Sequence, residues 1–235
     1  MLTLEVCLTP SLIEQHSLSG KAVVVVDIFR ATSCMITGMN HGIAAIYPVA
    51  TVDECTQLGA KGMVMAGERD GKKISHFDIG NSPFEYMMDE WKGRELTVST
   101  TNGTLAIQKS QEGNVLVMGA FLNLTATVQY LFELNKDVVI HCAGWKGTPN
   151  TEDTLYAGML ISRLMNHSFE LSNDSAQLAL ALYENHQSDL LSAAKKSSHA
   201  HRLAKFGITK DIEFCMEVDR FAGVVICEGN KLIKI

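Results

Sequence analysis

The 235 residues carry 20 Lys and Arg against 26 Asp and Glu, a formal net charge of −6, and 46% of them are hydrophobic. That is enough apolar material for a single α/β domain over 1–235, or for two lobes sharing one core, about 1–120 and 121–235. It excludes a general nucleic-acid binder, which needs a basic face, and no apolar run approaches the ~20 residues of a membrane-spanning helix.

The opening MLTLEVCLTP alternates as a strand over residues 2–8 and lacks the basic start and long apolar run of a secretory signal. Six cysteines, Cys7, Cys34, Cys55, Cys142, Cys215 and Cys227, are scattered with no C-x-x-C pair and no zinc-spaced histidine, the pattern of reduced core thiols in a cytoplasmic protein. Thr9-Pro10-Ser11 opens a short helix that ends by Ser19-Gly20.

VVVVDIFRATS, Val23–Ser33, is the stretch around which the chain is organised. Four valines predict a strand buried on both faces, and the run stops at an acid, Asp27, with a base, Arg30, three residues on. Ile36, Met39 and Ile43 recur at roughly helical spacing, so a helix starts soon after Asp27. The crevice outside the carboxyl ends of strands is where open α/β sheets bind ligands.

Ile43–Val49 predicts a second strand, Thr51-Val52-Asp53-Glu54 a capped helix start, and Gly62–Ala66 a third strand. The β-α-β-α-β alternation predicts an α/β fold, a three-layer α/β/α arrangement around a largely parallel or mixed sheet. The long polar stretch GERDGKKISHFDIGNSP, Gly67–Pro83, exceeds what a connection needs and reads as an ordered functional loop anchored by Phe77 and Ile79. A helix then begins at Pro83, with Phe84, Met87 and Met88 expected on its buried face.

Glu95–Val98 predicts a strand ending in STTNGT, Ser99–Thr104, before a helix over Leu105–Ser110. Four hydroxyls, an amide and a glycine at a helix start suit either an anion or a plain cap and turn. No G-x-x-x-x-G-K-[ST] or G-x-G-x-x-G occurs. Val115–Met118 and Val138–Ile140 predict strands around a helix over about Leu122–Leu134. HCAGWKGTPNTEDTLYAG follows, where Glu152 reads as a dipole-favoured helix N-terminal acid and Asp153 as a stronger functional candidate. Gln177–Tyr183, Leu190–Lys195 and His199–Phe206 predict consecutive helices, and the charges of Ser197–Phe221 mostly suit a solvated helical face. Val224–Cys227 and Lys231–Ile235 around Gly229-Asn230 predict a closing hairpin.

Together these loops supply acids (Asp27, Glu68, Asp78, Asp153), bases (Arg30, Arg69, Lys72, Lys73, Lys146) and the Thr100–Thr104 segment. Oxygen donors without cysteine or paired histidine suit a hard cation such as Mg²⁺, and phosphoryl transfer needs this mixture. Common phosphatase signatures are absent: Asp27-Ile28-Phe29 has Phe where an Asp-x-Asp motif needs its second acid, Thr148 stands six residues after Cys142 where a cysteine phosphatase needs Arg, and there is no Arg-His-Gly.

VVVVDIFRATS, GERDGKKISHFDIGNSP, STTNGT, CAGWKGTPNTEDTLYAG and DIEFCMEVD, in that order, resemble the magnesium-dependent 2-phosphosulfolactate phosphatases of coenzyme M biosynthesis, over Val23 to about Phe221. The chain departs from that pattern at Thr151, where a hydrophobic residue is expected, and at HAHRL near His199. The resemblance implies an α/β fold distinct from common phosphatases and hydrolysis of a small anionic phosphorylated substrate. It implies Asp27, Glu68 and Asp153 as Mg²⁺ ligands with Asp78 in reserve, and Arg30, Arg69, Thr100, Thr101, Asn102, Gly103 and Thr104 around phosphate. Lys72, Lys146, His199 and Arg202 would face sulfonate and carboxylate. Asp27, Arg30 and Arg69 are the expected catalytic residues, either around a metal-activated water or with Asp27 as covalent nucleophile; Cys142 is a further candidate nucleophile. A phosphatase for another small phosphorylated acid, or a non-catalytic anion-binding module, would keep most of these residues. Neither a nucleic-acid nor a membrane partner is expected, and homo-oligomerisation is left open.

Overall fold

The computed structural model describes residues 1–235. In chain order its strands and helices are β1 (Leu2–Cys7), β2 (Ala22–Val26), α1 (Ala31–Asn40), β3 (Ala45–Pro48), α2 (Val52–Gly59), β4 (Val64–Arg69), β5 (Lys72–Lys73), α3 (Pro83–Tyr86), β6 (Glu95–Ser99), α4 (Gly103–Lys109), β7 (Val115–Gly119) and α5 (Leu124–Leu134). They continue as β8 (Val138–Cys142), α6 (Thr151–Leu164), β9 (Phe169–Leu171), α7 (Asp174–His186), α8 (Leu190–Lys195), α9 (Ser198–Ala204), α10 (Thr209–Cys215), β10 (Val225–Glu228) and β11 (Lys231–Lys234). A 3-10 helix over Pro10–Gln15 supplies the expected turn after β1.

The strands make one 11-stranded mixed sheet in the order β5-β4-β6-β3-β11-β10-β7-β2-β8-β1-β9. Two parallel blocks, β4-β6-β3 and β7-β2-β8-β1-β9, are joined by the C-terminal hairpin, whose strands pair antiparallel with each other, β10 with β7 and β11 with β3. The blocks therefore run in opposite directions. The predicted closing hairpin is there, but as a central seam of the sheet.

Helices α5, α6 and α7 cover one face of the larger block; α1, α4 and the Pro10–Gln15 turn cover the other, giving the three-layer α/β/α arrangement. All five residues of β2 are buried, as a strand covered on both faces must be. Helix α1 is buried from Ala31 to Met39 and packs against β3, β7, β10 and β11 as well as α3 and α4. It is a core helix, and its buried Thr32, Ser33 and Thr37 hydroxyls each donate to a backbone carbonyl. One apolar cluster of 63 buried residues runs through the molecule.

Several local expectations change. β4 does not stop at Ala66 but continues through Glu68 and Arg69, which pair with Lys73 and Lys72 of β5, so part of the expected long loop is a tight hairpin. Helix α3 spans only four residues, and Phe84 and Met88 are exposed while Tyr86 is buried. Pro83 is buried with it, and Met87 just beyond the helix packs partly buried against the core. Helices α8, α9 and α10 form an arch from α6 and α7 across to α3, over the strand ends.

Candidate active site

The end of β2 is organised by α1 and by α6. Asp27 caps the turn: its Oδ1 accepts from the Ala31 N–H at 3.4 Å, and the Thr32 hydroxyl donates to the Asp27 carbonyl at 3.0 Å. Gly103, opening α4, comes so close that a Cβ there would lie 2.8 Å from Asp27 Oδ2. Asp27 is buried, and that burial, reinforced by Glu68 and Glu152 and opposed by His199 and the Ala31 N–H, raises its carboxyl to about 6.

Glu68, at the end of β4, meets Asp27 across a small cavity. Its Oε1 accepts from the Thr101 N–H at 2.9 Å and its Oε2 from the Gly71 N–H at 2.6 Å. The N–H expected to cradle phosphate at STTNGT thus already holds an anion, the protein's own carboxylate. Thr100 and Thr104 are taken up with each other: the Thr104 N–H donates to Thr100 Oγ1 at 3.1 Å and the Thr100 N–H to Thr104 Oγ1 at 3.3 Å. Of the segment Thr100–Thr104, Thr101 and Asn102 line the cavity and Gly103 supports Asp27.

The other walls are Phe29, Arg30, Asp70, Gly71, Asn81, Trp145, His199, Arg202 and Leu203. Arg30 is buried and forms an ion pair with Asp211 of α10. Arg202 lies over the Trp145 ring, 4.7 Å from its centroid, with its buried Nε unpartnered. His199 Nδ1 is 2.7 Å from Glu152 Oε1. Lys146 stands at the rim, paired with Asp70 at 2.8 Å and donating its N–H to Asn102 Oδ1 at 3.2 Å. The cavity has about 20 Å³ open to the centre of a water-sized sphere, room for little more than one water. A wider cavity of about 420 Å³ adjoins it across Arg30, Gly71 and Asn81.

Four expected site residues lie elsewhere. Arg69 follows Glu68 on the same strand and so points to the opposite face; its guanidinium donates to the Ser99 carbonyl and hydroxyl at 3.0 and 2.8 Å, tying β4 to β6. Lys72 is exposed, 5.4 Å from the Phe206 ring centroid. Asp78 accepts from the Met65 N–H at 2.7 Å, holding the chain along β4. Asp153 is fully buried behind the cavity, where the Ile28 N–H, Gly144 N–H and Asn150 amide donate to it at 2.8, 3.1 and 2.9 Å. Burial beside Asp27 and Glu152 pushes its carboxyl well above the usual range. It braces the end of β2 against the loop before α6. The expected carboxylate set is therefore split, and nowhere do three His, Cys, Asp or Glu side chains gather as a metal cluster. Cys142 is buried in β8 with its thiol pushed up by that burial, the reverse of what a nucleophile requires.

Sequence reasoning missed Asp211, Asn81 and Glu152. Asp211 was placed on a solvated face, yet it is buried against Arg30, and Glu152 is fully buried against His199 where a surface helix start was expected.

Two guanidiniums and a histidine facing two buried carboxylates, at converging strand ends of an α/β sheet, define an α/β protein with a site for a small, multiply charged anion. The chain belongs to the 2-phosphosulpholactate phosphatase family, whose model matches residues 7–230. Proteins called "Probable 2-phosphosulfolactate phosphatase" are similar to it over most of its length. That of Caldanaerobacter subterraneus subsp. tengcongensis is 36% identical over 213 residues, 89% of this chain and 88% of the relative. That of Thermotoga maritima is 36% identical over 204 residues, 87% of this chain and 88% of the relative. That of Clostridium botulinum is 31% identical over 236 residues, 98% of this chain and 99% of the relative.

Proposed function

We propose that the protein is a phosphoric monoester hydrolase that converts 2-phosphosulfolactate to sulfolactate and phosphate, with Mg²⁺ as cofactor. Family membership supports the substrate class, and one feature of the cavity supports the chemistry: Asp27 and Glu68 share their small space with the guanidiniums of Arg30 and Arg202. The guanidiniums attract a phosphate dianion and the carboxylates repel it. A divalent cation held by the carboxylates removes that conflict.

The donor atoms fit a hard cation. Asn81 Oδ1 and Thr101 Oγ1 are buried without hydrogen-bond partners, and both residues line the cavity beside Asp27 and Glu68. Mg²⁺ takes oxygen ligands and commonly needs only one or two carboxylates besides substrate oxygens and water. Asp27 and Glu68 would hold it, with Asn81 and Thr101 as neutral oxygen donors. Bound there, it neutralises charge on phosphate oxygens. Arg30, aimed by Asp211, and Arg202, stacked on Trp145, grip the anionic groups in the planar, two-pronged way that guanidiniums allow. No helix is long and apolar enough to cross a membrane.

The test is phosphate release from phosphosulfolactate, phospholactate and phosphoglycolate, with Mg²⁺ and then with EDTA, for the wild type and Asp27→Asn. Metal-dependent turnover that prefers the sulfonate and collapses in Asp27→Asn is expected. Turnover without that preference removes the sulfonate from the reading, and no turnover of any ester overturns it.

A further inference from the structure

Glu152 and His199 make a pair that gripping phosphate and holding a cation do not require. Glu152, in the first turn of α6, has no exposed surface, and His199, in α9, is 5% exposed. They come from elements 47 residues apart and meet Nδ1 to Oε1 at 2.7 Å. The other oxygen, Oε2, is buried with no partner. A carboxylate in such a place is costly unless its one contact is a strong, charge-assisted bond. An Nδ1–H donating to Glu152 fixes the ring's tautomer and leaves Nε2 as the free nitrogen of a residue that lines the cavity. The Phe29 ring, set edge-on at 6.1 Å, packs beside the imidazole.

This is the arrangement of a base oriented by a buried carboxylate, and the phosphatase reading, on which the inference rests, gives it a task. The ester oxygen of a phosphorylated 2-hydroxy acid leaves as an alkoxide, a poor leaving group without a proton. Two acids near the phosphate, Asp27 and Glu68, are accounted for as cation-holding groups, and the guanidiniums give up no proton. We propose that His199 is the general acid that protonates the leaving ester oxygen, and that Glu152 is its positioning residue.

In the step, the water oxygen forms a new bond to phosphorus and the P–O ester bond breaks, its electron pair staying on the leaving oxygen. That oxygen takes the proton from His199 Nε2 and departs as the alcohol. The proton lost by the attacking water passes to solvent, from which the imidazole recovers its own. Glu152 holds Nδ1 and so keeps Nε2, the nitrogen that carries the transferred proton, facing the ester. Besides Glu152, the charged groups sharing the cavity with His199 are Asp27, Glu68 and Asp70 against Arg30 and Arg202.

The experiment compares two esters of unequal need: phospholactate, whose alkoxide must be protonated, and p-nitrophenyl phosphate, whose nitrophenolate leaves unaided. With Mg²⁺ present, His199→Gln is expected to lose about 10²–10⁴-fold in kcat on phospholactate and only a few-fold on the nitrophenyl ester. Glu152→Gln, which keeps a hydrogen-bond acceptor for Nδ1 but removes the charge, is expected to show the same selective loss at smaller size. Equal losses on both esters overturn the proposal and leave the pair a structural one. Should the variants not fold, the wild type alone decides: kcat across esters of increasing leaving-group basicity stays nearly flat if the proton is supplied and falls steeply if it is not. A wild type that hydrolyses neither ester overturns the phosphatase reading itself, and the role of the pair with it.

Discussion

Arg30, in the loop after β2, and Asp211, in α10, lie 181 residues apart in the chain and form a buried ion pair that joins the arch of C-terminal helices to the strand ends. Asp211 sets the direction of the guanidinium at the wall between the two cavities. Asp211→Ala leaves a buried charge without its partner, and a loss of about 3–5 kcal/mol is expected in urea denaturation. The double variant Arg30→Met, Asp211→Leu is expected to recover most of that stability and none of the activity. A stable Asp211→Ala would mean that the pair does not hold the arch.

Asp27 carries a pH signature. Its carboxyl titrates at about 6 in the folded chain against 3.8 when unperturbed. The folded protein therefore holds a proton that the unfolded chain has released between those values. The stabilisation from this proton is complete below 3.8 and is lost as pH rises through about 6. Asp27→Asn, close in shape and always neutral, removes the dependence. In EDTA at pH 7 it is expected to be more stable than the wild type by up to about 3 kcal/mol, with no gain near pH 3.5, while phosphatase activity collapses. Denaturation midpoints measured across that range check it, and a variant less stable at pH 7 contradicts it.

What was legible in the sequence followed from local signals. Four valines ending at Asp27 mark β2 and the acid at its end, and Thr51 with Glu54 marks a capping box that the structure contains. What was not legible depended on registers and distant partners. The sequence ends this strand at Ala66, which makes Glu68 and Arg69 two loop residues free to face the same ligand. Once β4 runs through both, alternation allows only one of them into the cavity. Asp153 reads in the sequence as a metal ligand, but the donors that surround it, at Ile28, Gly144 and Asn150, are set by how α6 docks on β2. Asp211 looked like one charge among many in a helical run, because nothing local betrays a partner at Arg30.

The rim has its own consequence. Asp70 and Lys146 are exposed and paired at 2.8 Å, linking the β4–β5 turn to the loop before α6. The turn stands beside the site: Asp70 and Gly71 wall the small cavity, and Gly71 also walls the wider one, so its opening would widen the way in. In Asp70→Ala, faster amide exchange over residues 69–73 is expected with an unchanged melting temperature, because an exposed ion pair restrains a local opening and contributes little to global stability. Unchanged exchange would place the opening elsewhere, at α9 or α10.

Gly103 tests how closely stability and catalysis are joined at Asp27. A Cβ added there would lie 2.5 Å from the Ala31 Cβ, 2.8 Å from Asp27 Oδ2 and 3.3 Å from Thr100 Oγ1. Two of these neighbours are short side chains fixed to the start of α1 and the end of β2, so neither can swing away and the helices must separate. Such overpacking costs about 1–3 kcal/mol. The kinetic effect is expected to be larger, because displacing a reacting group by even 1 Å costs about 10²-fold in rate. Gly103→Ala should therefore fold, with a modestly lowered denaturation midpoint, and lose kcat far more than substrate affinity. A variant with wild-type kcat would show that α4 can shift without carrying Asp27 with it, and that Asp27 is held by α1 alone.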